Sequence, residues 1–118
     1  MEKLSFPKSS QLRKGWEFDQ VYNQGKRLHG SGFSLICRMT DQADSRIGIS
    51  VSRKIRGAVR RNRIKRIIRE SFRLRRDLYP GGADIVFVVR PDFNISSPQE
   101  IWRAVKPLSS RWIGTHEG

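Results

Sequence analysis

The sequence predicts a single α/β domain, and three observations support this prediction. Its 118 residues suit one domain with its own hydrophobic core. Short segments in which apolar residues alternate or run continuously indicate β-strands, and segments with apolar residues every three or four positions indicate helices. The predicted order is a helix, two or three strands, a strongly basic helix, a strand and a last helix.

The N-terminal part is predicted to contain an arm and a short helix. Residues 1–13 are polar and are expected to form an extended arm. Residues 15–23 are expected to be helical, with Gly25 as a left-handed stop. One side of this helix carries Phe18, Val21 and Tyr22.

Two alternating segments follow a glycine-bearing loop over residues 26–32 that contains His29. Residues 33–39 and 46–52 each alternate between apolar and other side chains, which is typical of strands. Residues 41–45 have turn chemistry, so we expect the two strands to pair antiparallel as a hairpin.

The second of these strands carries two different faces. One face is predicted to point inward and the other has only very small side chains. A face without bulk leaves room for a ligand, but it also suits a strand that is tightly covered by a helix, and both interpretations stay open. The inward residues are Ile47, Ile49 and Val51, and the small ones are Gly48, Ser50 and Ser52.

Residues 53–76 are predicted to form a basic helix that ends near Tyr79, and Glu70 is the only acidic residue in this range. An advance of about 100° per residue places Ile64, Ile67, Ile68, Ser71 and Leu74 on one side. The same advance places Asn62, Lys65, Arg66, Arg69, Arg73 and Arg76 on the opposite side.

The charge pattern of this helix indicates a polyanionic partner. Like charges stand four residues apart, as in Arg61, Lys65 and Arg69, and such pairs weaken an isolated helix. The whole chain has 24 Lys and Arg against 11 Asp and Glu, a net charge of +13. This excess favours binding to nucleic acid with a strong dependence on salt.

The C-terminal part is predicted to be a strand and a helix. Residues 84–90 are almost continuously apolar, so this strand should be buried on both faces and lie centrally in its sheet. Ser97 is the predicted N-cap of the last helix, with Pro98 at its first position and Glu100 closing a capping box. A kink or an early end is expected at Pro107, and residues 114–118 are expected to fray.

Several classes of protein and site are disfavoured. The single cysteine, Cys37, allows no internal disulfide or thiol metal cluster and is predicted to be a buried small hydrophobe. The two histidines, His29 and His116, form no metal-binding pair, and no nucleophile elbow or Walker loop is present. The absence of a secretory signal and of a long apolar run predicts a cytoplasmic protein. The isoleucines of the basic helix are better explained by a sheet than by a membrane, and no helix-turn-helix pair suggests DNA reading.

The sequence resembles the protein subunit of bacterial ribonuclease P over nearly its whole length. The most specific part is the Arg-Asn-Arg run at 61–63 followed by Lys-Arg and Arg-Glu pairs, after a Gly-Ile-Ser-Val strand. The matching segments are residues 46–54, 58–59, 61–66, 69–70 and 72–73, then 84–90, with a looser match at Phe18, Val21, Tyr22, Gly25 and Phe33.

The resemblance implies a fold and a function. The fold is an α+β two-layer sandwich, a small mixed sheet packed by helices with a left-handed βαβ crossover, as in the second domain of ribosomal protein S5. The implied function is to assist a catalytic RNA, with Mg²⁺ held mainly by that RNA, in removing the 5′ leader from precursor tRNA. No catalytic residue or metal ligand is then expected on this chain.

The resemblance also implies two sets of binding residues. The set facing the catalytic RNA is Arg61, Asn62, Arg63, Lys65, Arg66, Arg69 and Arg73. The set facing the leader is Phe18, Tyr22, Phe33, Ser50, Ser52 and Lys54. A stand-alone protein that binds structured RNA, of the ribosomal type, is the alternative, but it does not account for the combined strand and helix signature.

Overall fold

The fold is built on a four-stranded mixed sheet. The computed structural model describes the backbone of residues 8–117 and the side chains of residues 8–112. The strands have the spatial order β1-β2-β4-β3, in which β2 pairs antiparallel with β1 and β4, while β3 and β4 are parallel. The strand bounds are β1 Lys26–His29, β2 Phe33–Met39, β3 Arg46–Val51 and β4 Ala83–Val89.

Helices cover both faces of this sheet. Helices α2 (Ala58–Leu74) and α3 (Pro98–Glu117) pack on one face and form the predicted two-layer sandwich with it, so the α+β class is confirmed. Helix α1 (Gly15–Gln24) adds a smaller layer on the other face. Strands β3 and β4 are parallel neighbours joined through α2, which is the βαβ unit expected from the resemblance. Its left hand stays a prediction.

The main hydrophobic core lies between the sheet and the α2–α3 layer. Strand β4 is buried on both faces, with Phe87 in the main core and Val86 in the smaller core under α1, so its predicted central position is confirmed. Cys37 is buried in the main core, and this burial raises the pKa of its thiol to about 12. The thiol is therefore protonated near neutral pH and packs as a small hydrophobe.

The predicted hairpin between residues 33–39 and 46–52 is wrong, because β4 lies between these two strands. Strand β4 is the most apolar of the four and gains most from a central position. The hairpin instead joins β2 to β1, whose residues were predicted to be a loop. Its turn requires Gly32, which has a φ of +80° and lies where an added Cβ would be 2.8 Å from the Cα of Phe93.

The predicted left-handed stop at Gly25 is also wrong, since this residue has the extended angles φ −84° and ψ 164°. Strand β1 begins at the next residue, so the chain continues directly into extended backbone. Glycine is required there for a different reason: a Cβ would lie 2.5 Å from the carbonyl oxygen of Val21.

The basic helix α2 begins at Ala58, five residues after the predicted start. Gly57 precedes it with a φ of +91°, a conformation outside a right-handed helix. The helix ends at Leu74 and a 3₁₀ turn over Arg76–Leu78 follows. The predicted apolar side is wrong at Leu74, because this residue is exposed. Phe72 is buried instead, and its ring packs edge-on against the ring of Tyr79.

Helix α3 has the predicted cap at Ser97, whose Oγ accepts the backbone N–H of Glu100 at 3.3 Å. The Glu100 carboxylate in turn accepts hydrogen bonds from Ser96 and Ser97. The predicted early end at Pro107 is wrong, because the helix continues to Glu117. Buried residues on both sides of this proline, Val105 and Leu108 among them, hold the helix on the core. The alternative expectation, a kink at this proline, stays a prediction.

The ends of the chain differ in part from the predicted arm and frayed tail. Residues 8–10 form a 3₁₀ turn, Gln11 makes a bridge to Ile47, and Leu12 is buried. The backbone of residues 114–117 belongs to α3, while residues 1–7 and 118 lie outside the described part. None of the helices in the described range combines the length and the apolar character needed to cross a membrane.

Candidate nucleic-acid interface

Helix α2 presents its cations to the outside while its apolar side is anchored in the core. Ile64 and Ile68 are buried, and Ile67 is partly buried against the same cluster. Within the described residues, the only ion pair on α2 joins Arg73 to Glu70. No carboxylate among residues 8–112 pairs with the remaining cations of the predicted set, so α2 keeps a strong positive field. Those exposed or half-exposed residues are Arg63, Lys65, Arg66 and Arg69.

The outward cations fall on two flanks of α2. Lys65 and Arg69 line a cleft of about 240 Å³ together with Phe18 of α1 and Gly48 of β3. Arg63 and Arg66 line the other flank, towards the loop between β4 and α3. One residue predicted for the leader, Phe18, therefore lies in the same cleft as two predicted for the catalytic RNA, Lys65 and Arg69, a juxtaposition that helical periodicity alone does not reveal.

Arg61 differs from the other arginines of α2 because its guanidinium turns towards the end of β3. Its Nη1 donates to the carbonyl oxygens of Ser52 at 2.7 Å and Ile55 at 3.0 Å. Its Nη2 donates to the carbonyl oxygen of Val51 at 3.2 Å. These bonds reach carbonyls at the end of β3 and in the turn after it, where the Ser52 carbonyl also accepts the backbone N–H of Ile55 at 3.1 Å, so Arg61 fixes the turn between β3 and α2.

Arg76 also departs from its predicted place on the outward side of α2. It lies beyond the end of the helix, where its Nη2 donates to the hydroxyl of Ser10 at 2.8 Å. Its guanidinium lies over the ring of Phe72, 4.8 Å from the centroid. The prediction is wrong because α2 ends before this residue and the chain changes direction.

The small face of β3 is partly covered and partly open, so each of the two interpretations holds for a different residue. At Gly48 the cover is tight, because an added Cβ would lie 2.5 Å from the ring of Phe18. At Ser50 and Ser52 the side chains keep partial exposure. Lys54 lies in the exposed turn that follows and donates its backbone N–H to the hydroxyl of Ser52.

The three predicted aromatic residues do not share one surface. Tyr22 is 36% exposed and Phe18 is half-buried, both on α1. Phe33 has no exposed surface and stacks on Phe87 in the main core, with ring centroids 4.7 Å apart. The prediction for Phe33 is therefore wrong: the alternation of β2 points it towards the α2–α3 layer, so it offers no face to a base.

A polar cluster on the α1 side of the sheet was not predicted. The register aligns His29, Ser34, Val88 and Ser50 in one row across the four strands. The Ser34 hydroxyl lies 3.0 Å from Nδ1 of His29 and accepts a 2.6 Å hydrogen bond from Arg90, whose other nitrogen donates to the carbonyl oxygen of Gly30. This row did not follow from the sequence because residues 26–32 were predicted to be a loop. The alternation of Arg27, Leu28 and His29 was the signal that could have revealed it.

A charged network at the opposite end of the same face holds α1 on the sheet. Arg46 donates to Glu17 of α1 at 2.8 Å and to Asp84 of β4 at 2.8 and 2.9 Å. The hydrogen bond from the backbone N–H of Lys14, and further bonds from Arg13 and Arg46, hold the pKa of Glu17 below its ordinary value. Hydrogen bonding to Asp84 raises the pKa of Arg46 further. This network fixes the position of Phe18 over β3.

The sequence is similar to those of known proteins over most of its length. Residues 6–112 match the sequence model of the family Ribonuclease P. A ribonuclease P protein component from Desulfotalea psychrophila is 58% identical over 108 residues, which cover 92% of this chain and 90% of that protein. The corresponding component from Syntrophus aciditrophicus is 41% identical, with 94% and 93% covered.

Solved structures show the same fold. The ribonuclease P protein from Thermotoga maritima superposes with a TM-score of 0.75 at 32% identity, covering 86% of this chain and 96% of that one. The protein from Staphylococcus aureus gives a TM-score of 0.72 at 26% identity, with 89% and 96% covered. The chain therefore belongs to the family of ribonuclease P protein components.

Proposed function

We propose that this chain binds the catalytic RNA of ribonuclease P and the 5′ leader of precursor tRNA, and so assists the endonucleolytic removal of the leader in the cytoplasm. The observation that carries the proposal is the pair of cationic flanks on α2, whose Arg63, Lys65, Arg66 and Arg69 form no ion pair with a carboxylate of residues 8–112. One of these flanks shares a cleft with Phe18. Proteins that position RNA make most of their contacts to phosphates with arginine and lysine side chains.

The contacts to the catalytic RNA are proposed for the outward side of α2. Structured RNA presents closely spaced phosphates, and each neutralised phosphate releases counterions. Arg61 has a different part in this proposal, since three of its donors are used by backbone carbonyls and it acts mainly by fixing the start of α2. The proposed contacts are Asn62, Arg63, Lys65, Arg66 and Arg69, with Arg73 at the edge.

The leader is proposed to lie along the α1 side of the sheet. Phe18 and Tyr22 offer partly exposed aromatic rings, and stacking of an unpaired base on such a ring contributes about 1–3 kcal/mol. Ser50 of β3 continues this surface, and Ser52 and Lys54 extend it beyond the end of the strand. A row of small polar groups beside two aromatic rings suits an extended single strand better than a duplex.

We further propose that the reacting groups and the Mg²⁺ belong mainly to the RNA. Hard cations need several oxygen ligands. Among residues 8–112, no group of three or more carboxylates, histidines or cysteines is arranged to hold one. The interface residues are cationic and do not fit a metal site. Their contribution is to reduce phosphate repulsion where two RNAs meet.

Reconstitution tests the proposal. Purified protein and the transcribed ribonuclease P RNA of the same organism are combined at low Mg²⁺ with precursor tRNAs whose leaders increase in length. The benefit of the protein, measured as the ratio of substrate affinities with and without it, should grow with leader length and then level off. An equal benefit for a tRNA without a leader would refute the assignment of the α1-side surface.

Sequencing of the RNA that co-purifies with the chain separates this function from the alternative of a stand-alone protein of the ribosomal type. Ribonuclease P RNA is the expected partner. Enrichment of ribosomal RNA instead would refute the proposal, since both functions account for the charge of α2 equally well.

A further inference from the structure

A second groove lies on the flank of α2 that faces away from α1. Its larger part is a cavity of about 520 Å³ between α2 and Ser96, and a smaller one of about 170 Å³ adjoins it. The two cavities share Arg63, Ile67 and Ser96, so they form one continuous depression, here called the flank groove. None of the proposed leader contacts lines it.

The flank groove has an apolar floor. Its outer edge carries Val59, which is 85% exposed on a helix whose other outward residues are nearly all polar or charged. Ile67 and Ile95 are only partly buried and border the same depression. A surface that bound phosphates alone would have no use for this apolar strip.

The wall opposite α2 is held rigidly. Phe93 is buried edge-on to Phe87, with ring centroids 6.3 Å apart. The backbone N–H of Arg90 donates to the carbonyl oxygen of Gly32, and that of Phe93 donates to Arg90. The groove is therefore formed before any ligand arrives, which lowers the entropic cost of binding.

The rim of the flank groove is cationic and polar. Arg60, Arg63 and Arg66 border it and form no ion pair with a carboxylate of the described residues. The side-chain amides of Asn62 and Asn94 lie among its lining residues. An apolar floor, an arginine rim and amide groups match the parts of an unstacked nucleotide: the face of the base, the phosphate and the polar edge of the base.

We propose that the flank groove receives an unpaired base from a bulge or loop of the partner RNA. This inference rests on the proposed function and deepens it. The arginine row provides attraction to any RNA phosphate, whereas the groove selects an RNA that presents a flipped-out base at the correct distance from the phosphates. Guanidinium planes of the rim can stack on that base as well as contact its phosphate.

The first test compares Val59→Ser with a matched control, Leu74→Ser. Both residues are exposed and lie on α2, but Leu74 does not line the flank groove. Ribonuclease P RNA and a fully paired RNA duplex are titrated with each variant over a range of salt.

We expect Val59→Ser to weaken binding to ribonuclease P RNA on the order of fivefold, because the substitution removes part of the contact with one base. Its salt slope should not change, because no phosphate contact is lost. Binding to the duplex, and both affinities of Leu74→Ser, should stay at the wild-type level.

The outcomes that overturn the inference are distinct from failure of the proposed function. Wild-type affinity of Val59→Ser for ribonuclease P RNA, or equal weakening on the duplex, would refute the groove while leaving the function intact. A wild-type chain that did not prefer ribonuclease P RNA over the duplex would instead refute the function.

Photocrosslinking gives an independent measurement. With Val59 replaced by benzoylphenylalanine, irradiation of the complex with ribonuclease P RNA should give crosslinks confined to one or a few unpaired nucleotides. Crosslinks spread along paired helices, or crosslinks to a second copy of the chain, would overturn the proposal. The second result would assign the groove to self-association.

Discussion

Arg61 and Arg63 stand two positions apart on α2 and have the same side chain, yet their surroundings differ. Arg61 donates to three backbone carbonyls at the end of β3, whereas Arg63 is exposed on the flank groove. Hydrogen bonds from a charged donor contribute about 1.5–3 kcal/mol each before their mutual dependence is considered. The role of an arginine therefore depends on the carbonyls within its reach, and residue type does not reveal them.

This difference predicts that alanine substitution of Arg61 mainly lowers stability, whereas alanine substitution of Arg63 mainly weakens RNA binding. Arg61→Ala should lower the free energy of unfolding by about 2 kcal/mol, because it leaves the carbonyls of residues 51, 52 and 55 without this donor. Arg63→Ala should change that free energy by less than about 0.5 kcal/mol and should weaken RNA binding. Urea unfolding and RNA titration of both variants provide the measurements. Equal stability of the two variants would show that the Arg61 contacts contribute nothing.

Residue patterns predicted much of the local chemistry but not its long-range placement. The bounds of β2 and the Ser97 cap follow from alternation and from capping chemistry, which act over a few residues. The burial of Phe33 and the inward turn of Arg61 depend on neighbours brought close by the sheet. The sequence shows a glycine at position 57, but only its φ of +91° shows that α2 cannot begin before this residue.

At the scale of elements, the docking of α1 depends on charges distant in sequence. Arg46 joins Glu17, 29 positions away, to Asp84, 38 positions away. No periodicity connects these residues, so the network could not be predicted. The strand order had the same difficulty: local turn chemistry favoured a β2–β3 hairpin, whereas the burial of β4 on both faces decided the topology.

The docking of α1 should weaken in acid. The folded-state pKa of Glu17 lies below its ordinary value of 4.5, so its ionised form stabilises the fold. This contribution is complete above pH 4.5, the value expected in the unfolded chain, and is lost as the pH falls through the folded-state pKa. Glu17→Gln should therefore reduce the loss of stability on acidification, whereas the exposed Asp19→Asn on the same helix serves as the control. Urea unfolding between neutral pH and about pH 3 measures the effect, and identical pH profiles for wild type and Glu17→Gln would contradict it.

At the scale of the whole molecule, α2 separates two surfaces and takes part in both. Its buried isoleucines fix the rotation of the helix about its axis, and this rotation directs Lys65 and Arg69 to the Phe18 cleft and Arg66 to the flank groove. The resemblance assigned these cations to one RNA. The geometry instead divides them between two clefts on opposite flanks of α2, a division that the pattern of the helix alone does not reveal.

Three substitutions test this division. Arg66→Ala should weaken binding to the catalytic RNA and lower its salt slope by roughly 0.7–0.9, the effect of one lost phosphate contact. Phe18→Ala should mainly weaken the binding of leader-bearing precursor, by about 1–3 kcal/mol per lost stacked base, and urea unfolding of this variant accounts for the packing of Phe18 on the smaller core. Arg69→Ala should affect both ligands, because this residue lines the cleft with Phe18. Affinities for each RNA over a series of salt concentrations give both quantities. If Arg69→Ala left precursor binding unchanged, Arg69 would serve the catalytic RNA alone, and the two RNAs would not share the cleft beside Phe18.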